Sequence, residues 1–150
     1  RGRSAALNMV ITETGAGKAV GQVLPELQGK LTANAVRVPT PNVSLAIINL
    51  RFAKDITLEE LNDFLRQKAF HSDLKEQIGF TNSPEVVSTD FVGDRHAGII
   101  DSAATIVNGN KCVLYVWYDN EFGYTAQLLG LAKEMVGLTY QRYPNFSEST

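Results

Sequence analysis

Lys111-Cys112-Val113-Leu114-Tyr115-Val116-Trp117-Tyr118-Asp119-Asn120-Glu121-Phe122-Gly123-Tyr124 runs from a strand pattern straight into a helical one. Residues 111–117 form the strongest strand pattern in the chain, rich in β-branched and aromatic residues. Asn108-Gly109-Asn110 precedes them and is a hairpin signal, because Asn-Gly tolerates positive φ. The helical pattern spans about residues 121–136, with Leu128, Leu129, Ala132, Met135 and Val136 expected inward and Gly137 at the C-terminal cap. Asp119 and Asn120 therefore stand at a strand-to-helix corner, where rigid elements present polar groups.

Working outward, residues 35–40 and 43–52 read as strands separated by Pro41-Asn42. Pro39 and Pro41 push Val38 and Thr40 into extended conformations. Residues 4–12 read as an extended segment, and 91–92, 99–100 and 105–107 as short strands. Ala16, Ala19, Val20, Val23, Leu24 and Leu27 make an apolar helical stripe, which Pro25 should kink or close. Thr57 and Glu60 have capping-box spacing at the start of a second helix, with Leu58, Leu61, Phe64 and Leu65 on one face. Residues 72–77 suit a short helical turn. Helices and strands do not alternate regularly. The pattern predicts one α+β domain over residues 1–150, a largely antiparallel mixed sheet with helices packed on one face. No Gly-x-Gly-x-x-Gly follows a strand, so no dinucleotide-binding fold is expected within the chain.

The composition agrees with a globular domain: 150 residues, 44% hydrophobic and 20% charged. A net charge of −2 provides no broad basic field for nucleic acid. No apolar run approaches the ~18 residues that would signal a membrane span. One cysteine excludes an internal disulfide and fits a cytoplasmic setting. No His, Cys and carboxylate spacing reads as a metal site. The chain opens Arg1-Gly2-Arg3 with no initiator Met, and reads as the downstream part of a longer protein. The tail over 143–150 has no periodicity and is expected to fray.

Three places carry potential chemistry. Thr14-Gly15-Ala16 at a helix start exposes backbone N–H groups to an anion, with the Thr14 hydroxyl as a further partner. The alternative is that Thr14 only caps its helix. It is not a phosphate-binding Walker loop, because Thr12 stands where the first Gly belongs and Ala19 follows Lys18. Arg37, flanked by Pro39 and Pro41, is a planar guanidinium on a stiff mount, suited to bidentate phosphate recognition, or else a surface residue of an edge strand. Asn120 is both donor and acceptor and can hold a carboxamide in one orientation; the alternative is that Asp119 or Asn120 only caps the last helix. Tyr124, one turn on, lies on the same face as Asn120 and would pack beside a flat ligand or fill core. Asp94-Arg95-His96 reads as a loop or interface salt-bridge cluster, and His71 as an exposed residue. Cys112 reads as a packed thiol, since nothing nearby would lower its pKa.

The order of these segments resembles phosphorylating glyceraldehyde-3-phosphate dehydrogenases. The resemblance rests on Ala5-Ala6-Leu7-Asn8, Thr14-Gly15-Ala16, Lys18-Ala19-Val20, Val23-Leu24-Pro25-Glu26-Leu27, Gly29-Lys30-Leu31-Thr32, Arg37-Val38-Pro39-Thr40-Pro41-Asn42-Val43-Ser44, Ser88-Thr89-Asp90-Phe91 and Trp117 to Tyr124. It covers nearly the whole chain and does not separate that enzyme from erythrose-4-phosphate dehydrogenase. A stand-alone phosphate-binding or interaction module of the same fold is the alternative of another class.

The resemblance implies roles. Thr14 and Gly15 match a phosphate-binding motif, and Arg37 matches the Arg that grips a substrate phosphate. Asn120 matches the residue that hydrogen-bonds the nicotinamide carboxamide of NAD, and Tyr124 the Tyr beside that ring. The family partners are a small phosphorylated aldehyde and inorganic phosphate, and the family assembly is a homotetramer. The family's nucleophilic Cys, in a Ser-Cys-Thr-Thr-Asn segment, and its assisting His have no match here. They and the Rossmann domain that binds NAD are expected upstream of Arg1. The chain alone is therefore expected to be inactive.

Overall fold

The computed structural model describes residues 3–138. The chain divides into two compact units, residues 1–41 and 42–150. The opening Arg1-Gly2 and the tail over 143–150, expected to fray, lie outside the described residues.

The first unit holds β1 (Val10–Glu13), α1 (Ala16–Val23), a 3-10 turn at Pro25–Leu27 and β2 (Asn34–Arg37). β1 and β2 form a two-stranded antiparallel ribbon in which Val10 faces Arg37 and Glu13 faces Asn34. Pro25 ends α1 as expected, and the Leu24 N–H closes its last turn on the Val20 carbonyl. Contrary to the expected stripe, Gly21 is the buried residue of α1, and Val23 is 80% exposed. The Gly21 Cα lies so near Gln28 that a Cβ would meet its Cα at 3.3 Å.

The second unit is built on β3 (Ser44–Arg51), β4 (Ile78–Thr81), β5 (Gly98–Asp101), β6 (Ile106–Asn108) and β7 (Lys111–Tyr118), with α2 (Leu58–His71) and α3 (Phe122–Met135). The sheet order is β3-β7-β5-β4, and β6 also pairs with β7. β7 is antiparallel to β3, β5 and β6, while β4 and β5 run parallel. This is the α+β, largely antiparallel mixed sheet expected from the pattern. The Asn108-Gly109-Asn110 turn forms, with Gly109 at φ 59°.

Alternation places Cys112, Leu114 and Val116 on one face of β7. α2 covers that face: Leu61 and Leu65 pack there with Phe52, Ile56 and Val107. The Thr57–Glu60 capping box starts α2 as predicted. Leu58 and Phe64 of its expected stripe stay exposed. On the opposite face, Val43, Phe91 and Ile99 form a smaller cluster with Val86 and Trp117. Phe91 and Trp117 stack with ring centroids 5.5 Å apart.

Three segments differ from the sequence expectation. Within the expected extended segment 4–12, Ala5–Leu7 is a 3-10 turn closed by the Leu7 N–H on the Ser4 carbonyl. Residues 91–92 are not a strand: Ser88–Phe91 is a 3-10 turn, because the Asp90 carboxylate accepts from the Val87 N–H and tightens it. β4 has no counterpart in the sequence reading, since Gly79 interrupts its apolar pattern. That glycine is needed, because a Cβ there would press on Ile99 at 2.9 Å and on the His96 ring.

Candidate functional site

The capping role left open between Asp119 and Asn120 falls to Asp119. Asp119 is the structural residue. It is 2% exposed and accepts four hydrogen bonds. Its Oδ1 takes the N–H groups of Glu121 at 3.0 Å and Phe122 at 2.9 Å, and so caps α3. Its Oδ2 takes the Gly93 N–H at 2.9 Å and the Asn42 Nδ2 at 3.0 Å. The Gly93 and Phe122 N–H groups, followed by those of Glu121 and Asn42, hold its carboxyl below the usual carboxylate range against the opposing effect of burial.

Asn120 is exposed beside this buried knot. Its Oδ1 accepts from the Ser44 hydroxyl at 3.2 Å. The amide is held by Ser44 and otherwise exposed, and the N–H groups at the start of α3 go to Asp119 instead. Tyr124 lies in the first turn of α3, which begins two residues after Asn120, and is 70% exposed, so it does not fill core. Gly123 lets α3 begin here: a Cβ at that position would lie 2.6 Å from the His96 carbonyl oxygen. Gln127 then donates to the carbonyls of Glu76 and Arg95, both at 2.9 Å, which fixes the first turns of α3 against that loop.

The segment opposite the corner is strained. Val43 has φ 70°, a region β-branched residues avoid. Such a conformation costs of order 1–3 kcal/mol and persists only where its surroundings impose it. Here the Asn42 Oδ1 accepts the Val43 N–H at 2.7 Å, and the Val43 side chain is buried among Phe91 and Ile99. Asn42, Ser44 and Gly93 were not singled out from the sequence. The signal available was the resemblance segment that ends Asn42-Val43-Ser44.

The remaining candidates lie in the first unit. The Thr14 hydroxyl accepts from the Ala16 N–H at 3.2 Å, which makes it a turn-forming cap at the start of α1, while Gly15 takes the N-cap position. Arg37 ends β2 and is exposed. The ribbon does not bring Thr14 and Arg37 together. Arg37 faces Val10, and Thr14 follows Glu13 at the other end, a separation of about 13 Å along a strand rising ~3.3 Å per residue.

The other titratable groups behave as the sequence suggested. Asp94 Oδ1 lies 2.7 Å from His96 Nδ1, a side-chain contact within the loop. Cys112 is 3% exposed, and burial pushes its thiol pKa up, away from a nucleophile's. Among the described residues no group of His, Cys, Asp and Glu could hold a metal ion. No helix among them is long and apolar enough to cross a membrane.

The family model described as glyceraldehyde 3-phosphate dehydrogenase, C-terminal domain, matches residues 1–120. The chain belongs to this family. It is 61% identical over 144 residues to a glyceraldehyde-3-phosphate dehydrogenase-like protein of Pseudomonas aeruginosa (strain UCBPP-PA14), covering 96% of this chain and 31% of that protein. It is 50% identical over 131 residues to glyceraldehyde-3-phosphate dehydrogenase 2 of Mucor circinelloides f. lusitanicus, covering 87% of this chain and 38% of that protein. Against glyceraldehyde-3-phosphate dehydrogenase of Borreliella burgdorferi the identity is 45% over 139 residues, covering 91% and 41%. The chain thus spans about a third to two fifths of the length of these curated relatives. The family match ends at Asn120, the residue on which the candidate site turns.

Proposed function

We propose that this chain is the catalytic-domain portion of a cytoplasmic, homotetrameric enzyme that oxidises glyceraldehyde 3-phosphate to 1,3-bisphosphoglycerate with NAD and inorganic phosphate. The observation that carries this reading is the corner at Asp119-Asn120. An exposed amide, held by the Ser44 hydroxyl and placed directly after the buried carboxylate that caps α3, fits a carboxamide on a flat ring. Asn120 would hold the nicotinamide end of NAD, and exposed Tyr124 would lie beside it. When bound, NAD supplies the hydride acceptor. The chain's own residues orient and bind.

Arg37 would grip the aldehyde's phosphate, where its planar fork matches two oxygens. Thr14-Gly15 would meet an anion at the start of α1. Two anion contacts at opposite ends of one ribbon suit two phosphate groups better than one. The nucleophilic Cys and its base His would come from an upstream part of the protein, with the Rossmann domain. Cys112 does not substitute for that nucleophile, because its thiol is buried. The purified 150-residue chain is therefore expected to show no NAD- and phosphate-dependent turnover, and turnover by it would overturn this part of the reading. In the whole protein, Arg37→Lys keeps the charge and loses the fork. It should raise KM for the aldehyde phosphate about tenfold, and unchanged kinetics would remove Arg37 from the site. Glyceraldehyde 3-phosphate and erythrose 4-phosphate assayed side by side identify the aldehyde used.

A further inference from the structure

Asn120 is held by a residue outside its own element. Ser44, the first residue of β3, donates its hydroxyl to Asn120 Oδ1 at 3.2 Å. Ser44 faces Tyr118 in the β3–β7 ladder, so this contact continues past the last ladder pair onto the corner. An asparagine amide has two ends of similar size and opposite hydrogen-bonding character. Its χ2 is broad, so an unheld amide offers a ligand either end. The hydroxyl contact restrains that rotation and leaves the oxygen's second lone pair and both amide hydrogens for a ligand.

Ser44 is itself set by its neighbours. Val43, immediately before it, is buried at φ 70°. Asn42 donates to Asp119, the residue before Asn120. Asn42 and Ser44 thus grip the consecutive residues Asp119 and Asn120 from one strained turn. A strained, buried turn that holds two adjacent polar residues is how a fold preorganises a group for recognition.

We propose that Ser44 is a positioning residue that fixes the orientation of the Asn120 amide for the carboxamide of a nicotinamide cofactor. This rests on the reading of Asn120 as the cofactor contact. Ser44 acts through Asn120, not on the ligand directly. The whole protein that carries this chain provides the test, with NAD binding measured by calorimetry beside kcat for Ser44→Ala, Ser44→Thr, Asn120→Ala and the Ser44→Ala/Asn120→Ala double variant. Losing one neutral hydrogen bond should weaken NAD binding about threefold and lower kcat about fivefold in Ser44→Ala, with the melting temperature unchanged. Ser44→Thr keeps the hydroxyl and should restore both. In the Asn120→Ala background, Ser44→Ala should add nothing. A normal Ser44→Ala variant beside an impaired Asn120→Ala variant overturns the role of Ser44 and leaves the cofactor reading standing. A Ser44→Ala loss that persists in the Asn120→Ala background also overturns it. A normal Asn120→Ala variant removes the cofactor reading and this inference with it.

Discussion

At the residue scale, one carboxylate organises the corner. Asp119 satisfies two N–H groups at the start of α3, one in the 93–96 loop and the side chain of Asn42. Asp119→Ala leaves those donors without their acceptor and should cost about 3 kcal/mol in chemical denaturation; a loss below the error of the measurement would mean that water replaces the carboxylate. Asp119→Asn sets an NH2 against N–H donors and should also destabilise. The Asp119 carboxyl titrates below its unfolded range. Its contribution is therefore present above an unfolded pKa of about 3.9 and lost as pH falls through the folded value. The acid limb of the stability profile should flatten in Asp119→Asn, and an unchanged acid limb would contradict the assignment.

At the scale of elements, one local device and one long-range contact decide where helices begin. The Thr57 hydroxyl accepts from the Glu60 N–H at 3.1 Å, and the Glu60 carboxylate accepts from the Thr57 N–H at 2.9 Å. These Thr57 contacts, the backbone one foremost, lower the Glu60 pKa. Thr57→Ala should cost about 1 kcal/mol, read as a shift in urea midpoint with unchanged slope. Gly123 works by close approach. Alanine favours a helix by ~1 kcal/mol over glycine, yet Gly123→Ala should destabilise, because its Cβ would meet the His96 carbonyl at 2.6 Å. A stabilised Gly123→Ala variant would show that α3 does not dock there. Elements whose cause is local were legible in the sequence: the Thr57 box, the Asn108-Gly109 hairpin, the strand at β7 and the Gly137 cap with its φ of 68°. What could not be read depends on neighbours distant in sequence. Gly79 hides β4 until the His96 ring packs on it, and positive φ at a valine runs against propensity until Asn42 and Phe91 are in place. The same holds at the site. Asn120 stood out as a corner residue, but Ser44 lies 76 positions away, and only the β3–β7 register brings it alongside.

At the scale of the whole molecule, the inward residues expected of α3 are not covered among the described residues. Leu128, Leu129 and Met135 are 53%, 56% and 79% exposed, and α3 buries only Gly123. β3 also presents Leu45, Ile47, Ile48 and Leu50 as exposed residues on a strand that, among the described residues, pairs on one side only. Apolar surface beside an open strand edge favours association. The 150-residue chain alone should therefore self-associate with rising concentration in sedimentation, and Ile47→Lys should reduce it. A monomer at all concentrations would contradict this. The role of the corner is read out by Asn120→Ala in the whole protein. Asn120 is exposed and caps nothing, so its loss should leave the melting temperature unchanged and lower kcat for NAD- and phosphate-dependent aldehyde oxidation by at least about tenfold. An unchanged kcat, or a loss that merely follows unfolding, would contradict the account.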